Sequence, residues 1–130
     1  MRILGIDYGL KKIGLAFGES DSELAVPLEV ILNQGEETIS LLAERVDTED
    51  IDIVVVGVPL ATGKHHSSDQ LERTREFIGK LKDVASIPVV EEDEAYTTAE
   101  SIRIQHEEGS DAEEDALAAM LIIRGYFERL

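Results

Sequence analysis

The stretch "ILGIDYGLKKIG", Ile3 to Gly14, decides how the chain is read. Ile3, Leu4 and Ile6 put apolar side chains on both faces of an extended segment, which places that segment inside a sheet. It ends on a carboxylate, Asp7, turns over Gly9 to Lys12, and resumes as the apolar run Ile13 to Phe17. Two such runs about a short glycine-containing turn predict an antiparallel hairpin. Asp7 is then either a turn-former or a charge held at a strand end for chemistry.

Further along, Leu24 to Leu32 is a third apolar run, and Pro27 within it marks an edge strand. Ile39, Leu42, Ala43 and Val46 form one stripe of an amphipathic helix. "DIVVVGVP", Asp52 to Pro59, is β-branched without alternation, as expected of a strand buried on both faces of a parallel sheet. After the loop Leu60 to His66, Ser67 and Gln70 make a capping-box pair, opening a helix that turns Leu71, Thr74, Ile78 and Leu81 inward. "IPVVEEDE", from Ile87, reads as a short strand ending in acids. Thr97 and Glu100 open another helix to about Glu107, Gly109-Ser110 breaks it, and a last helix runs from about Ala112 to Phe127. The order β-β-β-α-β-α-β-α-α predicts an α/β fold: a mixed five-stranded sheet with helices on both faces.

At 130 residues the chain is expected to form a single domain, residues 1–130, burying about two-thirds of its unfolded surface. The longest apolar stretch, Ala116 to Ile123, falls far short of the roughly 20 residues that span a bilayer, so no membrane association is expected. The first residues do not read as a secretory signal. The absence of cysteine excludes disulfides and thiolate metal sites, and a cytoplasmic location is the simplest expectation. The formal charge of −16 repels nucleic acid at long range. Residues 91–130 are the most acidic part, with twelve acids against three bases.

In open α/β sheets, sites gather at the carboxyl ends of the central strands. Asp7 closes the first strand, Asp93 and Glu94 close the strand from Ile87, and Asp115 falls in the first turn of the last helix. That helix is apolar nearly all round, from Ala116 to Ile123, and is therefore expected to be buried. Singly, Asp7 reads as a turn residue as readily as a functional one, Glu94 reads first as one more solvated acid, and Asp115 first as a helix-start acid. Together, three carboxylates at one sheet end repel one another unless a cation neutralises them. A hard divalent ion with oxygen ligands answers that need, and two such ions suit phosphodiester hydrolysis.

Five segments resemble the YqgF/RuvX family of pre-16S rRNA nucleases, relatives of Holliday-junction resolvases with an RNase H-like fold. They are "GIDYGLKKIGLAFG", "AVPLEVI", "IVVVGVPLATG", "DEAYTTAES" and "DALAAMLIIRGYF", in family order over essentially the whole chain. The resemblance implies an active site of Asp7, Glu94 and Asp115 holding Mg²⁺ or Mn²⁺, two ions when substrate is bound, with Asp93 a lesser candidate. It implies that Thr62, Gly63 and Lys64 flank the cleft and that Lys11, Lys12 and Lys64 approach phosphates. The implied substrate is structured RNA, the 5' end of pre-16S rRNA, with branched DNA as the alternative, cut by a monomer or homodimer. The chain departs from the family in two places. Ala95 stands where an arginine is usual, and "QHEEGSDAEED", ending at Asp115, replaces a basic stretch.

Two further readings come from other classes. A catalytically weak binding module would keep the fold without its grip on phosphate, as those departures suggest. An actin- or hexokinase-like ATPase would use the turn after Asp7 as a phosphate loop, but it requires a second similar half that 130 residues do not supply.

Overall fold

The computed structural model describes residues 1–59, 68–94 and 114–130. Three strands come first: β1 (Arg2–Asp7), β2 (Lys12–Glu19) and β3 (Leu24–Leu32). Then follow α1 (Glu36–Thr48), β4 (Ile53–Val58), α2 (Ser68–Val84), β5 (Val89–Asp93) and α3 (Glu114–Glu128). The five strands form one sheet in the order β3-β2-β1-β4-β5. The β1–β2 hairpin is antiparallel, with Asp7 facing Gly14, and β4 pairs in parallel with both β1 and β5. The mixed five-stranded sheet expected from the sequence is therefore present. The expected helix from Thr97, the capping residue Ser67 and the start of the last helix at Ala112 lie outside the described residues.

Pro27 does lie on an edge strand. Leu15 of β2 faces Glu29 while Ala16 faces Pro27, so Leu28 is the extra residue of a bulge. An edge tolerates both the missing proline N–H and the bulge. β4 is buried at every position, as its β-branched run requires.

The sheet separates two cores. On one face Leu4, Ile6, Ile13, Leu15, Val54, Val56 and Val58 pack against Ile39, Leu42 and Val46 of α1 and Phe77, Ile78 and Leu81 of α2. On the other, Ile3, Ala16 and Val55 meet Leu117, Ala119, Met120, Ile122 and Ile123 of α3. Among the described residues α3 is the helix on that face, touching all five strands, and this explains its lack of a polar side.

Where α3 comes nearest the sheet, the strands carry glycine. A Cβ on Gly5 would lie 2.6 Å from Ile123 Cγ1 and 2.9 Å from the Ala119 carbonyl. A Cβ on Gly14 would overlap the Asp115 carbonyl. At these two glycines the helix rests on strand backbone, and its first turn lies against the turn end of the β1–β2 hairpin, where Asp7 pairs with Gly14.

Candidate active site

Strand parity sorts the acids. On β1, Ile3 packs under α3 while Leu4 and Ile6 face the other way, so Asp7, of the same parity as Ile3, turns toward α3. On β5, Val89 joins the α1/α2 core and Glu91 bonds Arg75 of α2, whereas Val90 packs with the α3 cluster. Glu94 follows that second parity: its Oε2 lies 2.9 Å from where a Cβ on Gly57 would stand, beside Ile122 of α3. Its backbone N–H donates to the Val58 carbonyl at 3.0 Å, extending the β4–β5 ladder by one residue. Asp93 has the parity of Val89 and Glu91, directed to the α2 side. Of the two adjacent acids, Glu94 is the one that shares a face with Asp7.

The third acid arrives from α3. Asp115 is its second residue, and the Asp115 carbonyl occupies the space above Gly14, the residue paired with Asp7 across the hairpin. Glycine at position 14 is therefore what admits the helix start to the end of β1. The electrostatics register this convergence. The Asp7 carboxyl is pushed up to about 8, first by burial and then by the charges of Glu94 and Asp115, with a side-chain hydrogen bond to Glu94 and the charge of Glu114 adding to it. A hydrogen bond between two carboxyls requires one shared proton. Either a proton or a cation relieves the repulsion within such a buried acid cluster.

No group of three or more acidic or histidine side chains among the described residues is gathered into a finished metal cage. The donors nevertheless suit a hard divalent ion. All are carboxylate oxygens, their repulsion is what cation binding relieves, and Mg²⁺ is commonly held by one or two carboxylates plus waters and substrate phosphate.

Lys11 and Lys12 are exposed on the hairpin turn and form no ion pair among the described residues. Arg75 is committed, with Nε and Nη2 donating to Glu91 at 3.1 and 3.2 Å. Thr62, Gly63, Lys64 and Ala95 lie outside the described residues.

Two acids escaped the sequence reading. Glu114 adds its field to Asp7 although it is exposed. Glu92 is 5% exposed beneath α3, facing Gly125, with Arg129 Nε 3.4 Å from its Oε1. That oxygen has no hydrogen-bond partner among the described residues, and burial holds the carboxyl above its usual range. The signal was available: Glu92 has the parity of Val90, so it could not belong to a uniformly solvated acidic run.

The sequence profile of the RuvX family, described as Holliday junction resolvase, matches residues 1–129. The chain belongs to the RuvX family. Among curated relatives, a "Putative pre-16S rRNA nuclease" of Ruminiclostridium cellulolyticum is 32% identical, covering 100% of this chain and 96% of its own. Another of that name, from a Sulfurihydrogenibium species, is 35% identical over 99% of this chain and 91% of its own. Two solved structures share the fold at low identity. Thermus thermophilus RuvC in complex with a Holliday junction substrate has a TM-score of 0.66 at 14% identity, covering 99% of this chain and 95% of that one. The fowlpox virus Holliday junction resolvase has a TM-score of 0.62 at 15% identity, with both chains covered completely. The fold is RNase H-like, and family membership makes the chain a nuclease, a hydrolase of phosphodiester bonds.

Proposed function

We propose that Asp7, Glu94 and Asp115 hold Mg²⁺ or Mn²⁺ and that the chain hydrolyses structured RNA, trimming the 5' end of pre-16S rRNA in the cytoplasm. The observation that carries this reading is the convergence of three acids from β1, the end of β5 and α3, strong enough to move the Asp7 carboxyl to about 8. The substrate follows the names of the full-length relatives. No helix among the described residues is long and apolar enough to cross a membrane.

A bound divalent ion would supply Lewis-acid polarisation of the phosphate and a water of lowered pKa. The chain's own contribution is to hold three oxygen donors on a rigid sheet end and under a buried helix, where little reorganisation accompanies binding. To hold a cation Asp7 would have to release its proton, so binding would strengthen with rising pH. Lys11 and Lys12 meet phosphate oxygens from the turn, offsetting the repulsion of the net charge.

The test is cleavage of labelled structured RNA with Mg²⁺ or Mn²⁺ against EDTA, with Asp7→Asn alongside to exclude a contaminant. Metal-dependent cutting lost in the variant supports the reading; no cutting by folded protein at low salt removes it. A second reading, resolution of four-way DNA, is favoured by the family's description and by the two resolvase-like structures. It requires two sites about one junction, so a monomer in solution that cuts RNA alone eliminates it.

A further inference from the structure

One residue beyond Asp7 the strand turns a different chemistry to the opposite side of the sheet. Tyr8 packs one part of its ring on Phe77, centroids 4.6 Å apart and planes tilted by 33°. Phe77 is 5% exposed, so it serves as a fixed backing, while Tyr8 keeps partial access to solvent. The remainder of Tyr8 lines a cavity of about 400 Å³, together with Gly9, Leu10, Asp69, Gln70 and Arg73. A smaller recess of about 70 Å³ continues past Tyr8 and Arg73 toward Asn33 and Lys80. Arg73 is exposed and forms no ion pair among the described residues, unlike its helix neighbour Arg75. Leu10, 59% exposed, is an apolar rim beside Lys11 and Lys12.

From this constellation we propose a nucleotide subsite: the cavity takes one unpaired base, stacked on Tyr8, from the strand whose phosphate lies at Asp7. The volume is of small-ligand size, roughly 300–1,000 Å³. Its lining supplies an aromatic face, a guanidinium for phosphate or stacking, and Asp69 and Gln70 for the polar edge of a base. A base kept in a duplex has both faces and its pairing edge taken, so only a single-stranded or extruded nucleotide enters. Asp7 and Tyr8 are consecutive at the end of β1, so one substrate strand crossing that end of the sheet would serve both the base site and the scissile phosphate. The proposal rests on the nuclease reading above and narrows its substrate to RNA unpaired beside the cut.

The test is metal-free binding, which is independent of cleavage. A short single-stranded RNA carrying 2-aminopurine is titrated with the whole protein in EDTA at low salt, beside a duplex of the same sequence. Wild type and Tyr8→Phe should bind the single strand and quench the fluorophore. Tyr8→Ala should weaken binding roughly 5- to 150-fold and abolish quenching, with the duplex indifferent to either change. Arg73→Ala, at an exposed position, should weaken single-strand binding without unfolding the protein, and it carries the test if Tyr8→Ala melts early. Unchanged single-strand affinity in Arg73→Ala and in a folded Tyr8→Ala overturns the subsite, as does an equal loss for duplex. Failure of the nuclease reading shows separately, as absence of cutting by wild type with metal.

Discussion

Replacing Asp7 by asparagine should make the metal-free protein more stable while destroying its activity, and the two effects share one origin. In the fold the Asp7 carboxyl is pushed up to about 8, whereas in the unfolded chain it titrates in the ordinary aspartate range near 3.8. Between those limits the unfolded state binds fewer protons, so stability is fully present below about pH 4 and falls as pH rises toward 8. At 1.36 kcal/mol per unit, the loss by pH 7 reaches about 4 kcal/mol, and local relaxation and water entry bring it nearer 2 kcal/mol. Asparagine is uncharged at every pH and can still donate to Glu94, so the variant avoids this loss. For a domain of this size each kcal/mol moves Tm by about 3 °C, which predicts a rise of roughly 6–12 °C near pH 7. Thermal melts in EDTA from pH 4 to 9 should show the two proteins converging at the acid end and separating as pH rises. Added Mg²⁺ should stabilise wild type, by about 2.7 kcal/mol at a hundredfold excess over its Kd, and leave the variant nearly unmoved. A variant no more stable than wild type at pH 7, or a difference that ignores pH, refutes the account of Asp7 as a carboxylate under repulsion.

Glu94→Gln and Asp115→Asn should each cut cleavage by at least about a hundredfold with the fold intact, judged by circular dichroism beside single-turnover rates. Gly14→Ala should displace the α3 start, costing about 1–3 kcal/mol by urea unfolding and lowering cleavage although no acid is altered. Arg129→Ala leaves the buried Glu92 without its cation and should destabilise by about 1–3 kcal/mol, an effect that should shrink on acidification as Glu92 protonates. Cleavage should fall steeply between low and moderate salt if Lys11 and Lys12 grip phosphate, and a flat profile would dismiss them.

The framework was legible because it depends on local pattern. Burial on both faces of β1 and β4, the hairpin turn at Gly9, the edge-strand proline and the helix stripes follow from spacing alone, and each is present. The acids were legible as strand-end and helix-start charges, but their meeting was not, since residues 7, 94 and 115 are brought together only by the β1–β4–β5 order and the seat of α3. Arg75 resembles a free cation until β5 is set beside α2 and Glu91 takes it. Glu92 resembles one more solvated acid until the helix closes over it. Gly14 carries no signal in composition, because its importance lies in a carbonyl from a residue a hundred positions away.

The glycines beneath α3 have a bearing on how this enzyme can diverge. Where a helix rests on side chains, each Ile-to-Val or Leu-to-Met exchange alters its height and would shift a ligand carried on its first turn. Here Gly5 and Gly14 set the helix directly on strand backbone, which substitutions elsewhere do not remove. The spacing between Asp7 and Asp115 is thereby insulated from ordinary drift in the hydrophobic cores. Its vulnerability is concentrated in a few positions where a single added carbon would lift the helix off the sheet.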